Sequence, residues 1–173
     1  MTTERQAAIT LKGNPMTLVG DELRVGDTAP DFKLKGADMS DKTLADFDGK
    51  IKLLSCVPSL DTPTCDTETR RFNEEAKKIG DDVVVLTVSM DLPPAQKRWC
   101  GAHDVEHVVV MSDYLTHQFG IDYGVRIKEI GFLARCIFVL DRENKVRYVQ
   151  LVGEVADEPD YGAALAAARE AAG

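Results

Sequence analysis

Two apolar runs, Ile51–Val57 and Val83–Ser89, stand out along the chain, and each predicts a strand buried on both faces. The first ends at Pro58 and passes through a turn-rich stretch into a helix over about 63–79, stopped by Gly80. Thr62 suits the capping position and Pro63 the first helical position, where a missing N–H costs nothing. In that register Cys65, Thr69, Phe72, Ala76 and Ile79 fall on one face, which turns the sulfur inward toward a pocket floor. Upstream, residues 8–19 read as a hairpin. Ile9 and Leu11 alternate on one arm, Met16 and Leu18 on the other, with Lys12–Pro15 as the turn. A short strand is expected near Phe32–Leu34, and Ser40 or Asp41 caps a short helix ending at Phe47-Asp48-Gly49.

Downstream, Pro93–Cys100 predicts a short helix closed by Gly101. Val108–Met111 is a third strand, and a helical stretch around Asp113–Phe119 ends at Gly120. Residues 121–134 read as irregular. Strands Cys136–Leu140 and Val146–Val152 flank the turn Asp141–Lys145, and a last helix covers about Asp160–Ala172. Strands alternating with helices, then an antiparallel hairpin and a helix, predict an α/β fold with a mixed central sheet flanked by helices. The order β-α-β, then β-β-α, around a cysteine at a helix start is that of a thioredoxin-like core, extended here by the N-terminal hairpin. The 173 residues, without repeat or linker, are expected to form one domain over 1–173.

A net charge of −8 argues against a nucleic-acid or anionic-membrane surface. No run approaches the ~18 apolar residues of a membrane span, and the N-terminus lacks the apolar core of a signal peptide. A cytoplasmic protein is expected. Cysteines 56, 65, 100 and 136 include no Cys-x-x-Cys pair, and His103, His107 and His117 are scattered. Neither a metal nor another cofactor is expected.

The four cysteines then divide by environment. Cys65, third in its helix, lies near unpaired backbone N–H groups and the positive end of the helix dipole, which favours thiolate over thiol. Thr62-Pro63-Thr64-Cys65 has the form of a Cys-x-x-Cys site whose first cysteine is replaced by threonine. Asp66 and Glu68 work against the thiolate and are assigned to stabilising the helix N-terminus. Cys56 and Cys136 are explained by the strand core, where they could be neighbours. Cys100 lines up with Gln96 and Lys97 on the polar side of its helix, opposite Leu92, Ala95 and Trp99, and is expected to be accessible. A thiolate-prone cysteine and an accessible one make a working pair: the first becomes a sulfenic acid and the second condenses with it. Their Cα atoms must approach within ~7 Å, so the first turn at Cys65 is expected to unwind.

Val25-Gly26-Asp27-Thr28-Ala29-Pro30-Asp31-Phe32, with the pattern Pro-x-x-x-Thr-x-x-Cys at Pro58, Thr62 and Cys65, resembles the peroxiredoxins. The wider string Pro58–Cys65, the N-terminal hairpin, Arg98-Trp99-Cys100 and Leu133-Ala134-Arg135 narrow the resemblance to the bacterial thiol peroxidase branch of atypical two-cysteine peroxiredoxins. It extends over nearly the whole chain. The resemblance implies that Cys65 is the peroxidatic and Cys100 the resolving cysteine, that Thr62 and Arg135 engage the peroxide, and that Pro58 shields the sulfur. It implies antioxidant reduction of hydrogen peroxide and organic hydroperoxides, with alkyl or lipid hydroperoxides preferred. It also implies recycling by thioredoxin and a homodimer. Cys56 and Cys136 are not part of that family pattern. Other readings of the same residues are a peroxide sensor that relays its disulfide to a partner, a thiol–disulfide oxidoreductase, which the lack of Cys-x-x-Cys disfavours, and a silent binding module.

Overall fold

The structure, a computed structural model, describes residues 2–173. In chain order, β1 (Glu4–Leu11) and β2 (Asn14–Val19) form the hairpin. Then come β3 (Leu34–Gly36), β4 (Asp41–Lys42) and a 3-10 turn at Leu44–Phe47. Next are β5 (Ile51–Cys56), α1 (Pro63–Ile79), β6 (Val83–Ser89), α2 (Pro93–Ala102) and β7 (Val108–Ser112). α3 (Gln118–Asp122), β8 (Arg126–Ile127), β9 (Cys136–Leu140), β10 (Val146–Leu151) and α4 (Tyr161–Ala172) complete the chain.

Seven strands form one mixed sheet in the order β10-β9-β5-β6-β7-β3-β4, and β1-β2-β8 form a second, smaller one. β5, β6 and β7 run parallel; β9 pairs antiparallel with β5, and β10 with β9. This is the expected thioredoxin-like order. Alternation along the central strands divides their side chains between two apolar layers. Leu54, Cys56, Phe138 and Cys136 face a layer completed by Ile9, Leu18, Phe119 and Tyr123. Leu53, Val85, Ile137 and Val139 face the other, completed by Cys65 and Phe72 of α1, Trp99 of α2 and Leu165 of α4. The hairpin and α3 therefore cover one side of the sheet, and α1, α2 and α4 the other.

The bounds of α1 follow from its ends. Thr62 is extended (φ −95°, ψ 146°), Pro63 opens the helix, and Gly80 leaves it at φ +93°. Elsewhere the structure corrects the sequence pattern. The hairpin turns on two residues, Lys12 and Gly13, both at positive φ, and Pro15 already lies in β2 opposite Thr10. Asp41 starts no helix: Lys35 Nζ holds its carboxylate at 2.6 Å, and Asp41–Lys42 pair with Leu34–Lys35 as a strand. Thr43 precedes the 3-10 turn instead, its N–H donating to Asp46 Oδ2 at 2.7 Å.

α2 runs through Gly101 to Ala102. The segment Asp113–His117 is a loop, whose Asp113 carboxylate accepts from Phe119 N at 3.2 Å and Gly120 N at 2.9 Å to start α3. Gly120 lies inside that helix and does not end it; the position is kept small by Leu133, which a Cβ there would meet at 2.8 Å. Residues 121–134 are not wholly irregular, since β8 pairs with β2 through Leu18 and Val19. Among the described residues no helix is long and apolar enough to cross a membrane.

Candidate active site

β5 delivers the chain to the turn Val57–Thr62, and α1 begins immediately after it. Asp91, just beyond β6, holds this turn from the neighbouring strand. Its carboxylate accepts from Ser59 Oγ at 2.7 Å, Leu60 N at 2.8 Å and Ser89 Oγ at 2.7 Å. Pro58 is buried. Thr62 occupies the capping position by backbone, but its hydroxyl donates to Ser59 O at 2.8 Å instead of accepting from a helix N–H. A carbonyl can only accept, so the Thr62 oxygen keeps its lone pairs free to accept a further proton donor.

Cys65 is 0 % exposed. A cavity of about 600 Å³ lies away from it, lined by Asp31, Lys35, Asp41, Asp113 and neighbours around β3, β4 and α3. A groove of about 320 Å³ lined by Pro63, Thr64, Ala156 and Glu158 runs beside the start of α1. The sulfur is thus turned inward as the helical face predicts, and it sits under the protein surface.

Arg135 meets the sulfur there. It directly precedes Cys136, whose side chain faces the hairpin layer, so alternation sends the guanidinium to the α1 side. Nη2 donates to Cys65 Sγ at 3.3 Å. Nη1 is paired with Glu68 Oε2, and Nε donates to Val155 O at 3.0 Å. Ser55 Oγ, from β5, donates to the other Glu68 oxygen at 2.8 Å. Each nitrogen of the guanidinium is therefore engaged, and its plane is fixed against the sulfur. Burial pushes the Glu68 carboxyl above the usual range, and the Arg135 charge and the hydrogen bonds from Arg135 and Ser55 pull against that rise. Glu68 is not a surface residue serving the helix N-terminus; it is the buried counter-charge of Arg135. The sequence carried a signal for this: Glu68 stands three residues after Cys65, between Cys65 and Phe72 on the apolar stripe of α1.

The carbonyl of Val155 is itself held by the hairpin. Val155 N donates to Thr10 O and Thr10 N to Gly153 O, each at 2.8 Å. Glu154 accepts from Gly13 N at 2.8 Å, Thr10 Oγ1 at 3.0 Å and Ala156 N at 2.8 Å. The backbone N–H groups of Ala156 and Gly13 bring its carboxyl down to about 2. None of these supports was picked out from the sequence.

All four cysteines are free thiols. Cys56 and Cys136 are directly opposed on β5 and β9, fully buried on the hairpin side of the sheet, and burial pushes both thiols up. Cys65 and Cys100 belong to the opposite layer, so the sheet lies between the two pairs. Cys100 is half-buried, and burial raises its thiol too. The face assigned to it needs correction. Gln96 is buried, its amide donating to Met111 O at 2.9 Å and Ser89 Oγ at 3.0 Å, whereas Leu92 is exposed. The polar amide faces inward because Met111 O of β7 and Ser89 Oγ offer it acceptors. Among the described residues no group of three or more His, Cys, Asp or Glu is placed to hold a metal ion.

The Redoxin family model matches residues 24–165. The thiol peroxidase of Streptococcus pneumoniae (strain R6) is 55 % identical over 161 residues, covering 93 % of this chain and 98 % of that protein. The thiol peroxidase of Bacillus subtilis (strain 168) is 50 % identical over 163 residues, covering 94 % and 97 %. Among solved structures, a peroxiredoxin-like protein from Aquifex aeolicus superimposes with a TM-score of 0.89 at 43 % identity, over 96 % of this chain and 99 % of that one. The chain belongs to the redoxin family, in its thiol peroxidase branch, and is an enzyme of the peroxiredoxin type that reduces peroxide with a thiol.

Proposed function

We propose that Cys65 is the thiolate that attacks the peroxide and Cys100 the thiol that resolves it. The Cys65 sulfur attacks one oxygen of ROOH in line with the O–O bond. That bond breaks, the electron pair leaves on the departing oxygen, which takes a proton as ROH, and the sulfur is left as sulfenic acid. The Cys100 thiol then attacks the Cys65 sulfur, the S–S bond forms, and the hydroxyl departs with the Cys100 proton as water. A dithiol protein of the thioredoxin type returns the disulfide to two thiols and is itself oxidised to a disulfide.

The observation that carries this reading is the guanidinium held against Sγ by Glu68 and Val155 O. Fixed N–H donors beside the sulfur stabilise both the anionic nucleophile and the oxygen that gathers charge as the O–O bond stretches. Thr62, with free lone pairs, accepts the peroxide O–H and sets the line of attack. Pro58 keeps water from the sulfur. A preference for alkyl or lipid hydroperoxides, a homodimer and a cytoplasmic location complete the reading by likeness to the family.

One equivalent of peroxide added to the reduced protein, followed by thiol blocking and mass spectrometry, tests the pairing. The expected product is a Cys65–Cys100 disulfide with Cys56 and Cys136 still reduced. In Cys100→Ser one rapid oxidation at Cys65 is expected, then a stall with thioredoxin as reductant. A Cys65–Cys56 bond, or sustained turnover of Cys100→Ser, would displace Cys100 from its role.

The half-buried Cys100 also predicts a pH dependence. Its thiol is raised in the closed structure, so the closed form's advantage over an open one is intact below the ordinary thiol pKa of about 8.5. That advantage is lost as pH rises through the raised value. Opening and thiolate formation both gain on the alkaline side. The disulfide-forming step, followed by rapid quench from pH 6 to 10, is expected to accelerate above about pH 8. A flat profile would mean that Cys100 does not titrate in the rate-setting step.

A further inference from the structure

Asp66 follows Cys65 on α1, and Trp99 precedes Cys100 on α2. These two neighbours of the redox cysteines are bonded to each other. Asp66 Oδ1 accepts from the indole Nε1 at 3.1 Å and lies 3.3 Å from His103 Nε2. His103, at the end of α2, stacks on the indole with ring centroids 4.6 Å apart, and its Nδ1 lies 2.8 Å from Trp99 O. Arg70, one turn along α1, donates to the other Asp66 oxygen at 3.4 Å. Trp99 is buried in the layer that contains Cys65.

We propose that Asp66, Trp99 and His103 form a latch between α1 and α2 whose release sets the rate at which Cys100 reaches Cys65. The inference rests on the pairing of Cys65 with Cys100 argued above. In the closed structure Cys65 Sγ is covered from every side, and its helical turn is closed by Asp66 N donating to Thr62 O at 3.0 Å. A disulfide brings the two Cα atoms within ~7 Å, which requires this first turn to unwind. Asp66 leaves with Cys65 when it does, so the bond from Trp99 breaks in the same event. The latch thus contributes directly to the free energy of opening. Until the disulfide forms, the sulfenic acid at Cys65 remains a substrate for a second peroxide that would carry it to sulfinic acid. A weaker latch shortens that interval.

These three are positioning residues, since none touches the peroxide or the reacting sulfurs. Trp99→Phe keeps the aromatic packing and removes the N–H donor. Rapid quench with mass spectrometry after one equivalent of peroxide is expected to show disulfide formation about tenfold faster, equivalent to about 1.4 kcal/mol in the barrier. Formation of the Cys65 sulfenic acid should change less than twofold. At a fixed excess of peroxide, the sulfinic fraction per turnover should fall in proportion.

A second comparison separates the hydrogen bond from the charge. Asp66→Asn and Asp66→Ala both lose the negative charge, but only asparagine retains an acceptor for the indole. Asparagine should preserve slow resolution, and alanine should match Trp99→Phe. Equal resolution rates in the two Asp66 variants, or no acceleration in Trp99→Phe, would overturn the latch. If the unaltered protein formed no Cys65–Cys100 disulfide at all, the two-cysteine reading would fail first and the latch with it.

Discussion

Arg135→Met is expected to lower kcat/KM for peroxide by a factor of about 100–1000, the range found when one fixed donor to a developing oxyanion is removed. The methionine side chain fills much of the same space but offers nothing to Cys65 Sγ, to Glu68 or to Val155 O. It also strands Glu68, fully buried with Ser55 as its remaining partner. Breaking a buried ion pair by deleting one member costs about 3–5 kcal/mol. For a chain of this size that is a fall in Tm of about 6–20 °C. Activity should therefore be compared well below the new Tm. Arg135→Lys is the informative companion, because one ammonium restores charge near Glu68 but cannot span sulfur, carboxylate and carbonyl together. Lysine should recover stability better than it recovers rate. A Met variant within threefold of full activity would remove Arg135 from the chemistry.

Cys65→Ser should consume no peroxide above background while remaining folded. The serine hydroxyl stays protonated at neutral pH and is a weak nucleophile toward an O–O bond. It can still accept from Arg135 Nη2, so the buried network keeps its partners and stability should change by about 1 kcal/mol or less. Circular dichroism melts within a few degrees of the unaltered protein, together with absent turnover, would separate loss of chemistry from loss of fold. No other cysteine can substitute efficiently. Cys56 and Cys136 lie across the sheet with raised thiols, and Cys100 has no guanidinium beside it. Steady consumption of peroxide by this variant would sink the assignment.

Where structure depends on neighbours in sequence, the chain could be read closely. Thr62, Pro63 and Gly80 bound α1, and the β-branched run Val83–Ser89 is β6, because caps and strand propensity act locally. The cysteine at the helix start was legible for the same reason. What failed depends on partners far along the chain. Glu68 and Gln96 look like surface residues until Arg135, Ser55 and Met111 O are brought to them by the sheet. β8 exists as a strand because β2 lies beside it. Arg135 sits between an alanine and a cysteine at a strand edge, and only the family resemblance singled it out. Asp91, Val155 and Glu154 act through turns whose geometry no periodicity encodes.

The contact between Cys65 and Arg135 spans 70 positions of sequence, and this gives the site a history during synthesis. At ~5–20 residues per second, a ribosome that has just added Cys65 needs roughly 4–14 s more to add Arg135. Throughout that interval the nascent chain carries a cysteine with no guanidinium beside it and no β9 to hold one in place. On the proposed assignment of Cys65, the Arg135 donor that would serve its chemistry is in place only once the second half of the sheet docks, so assembly of the site waits for β9.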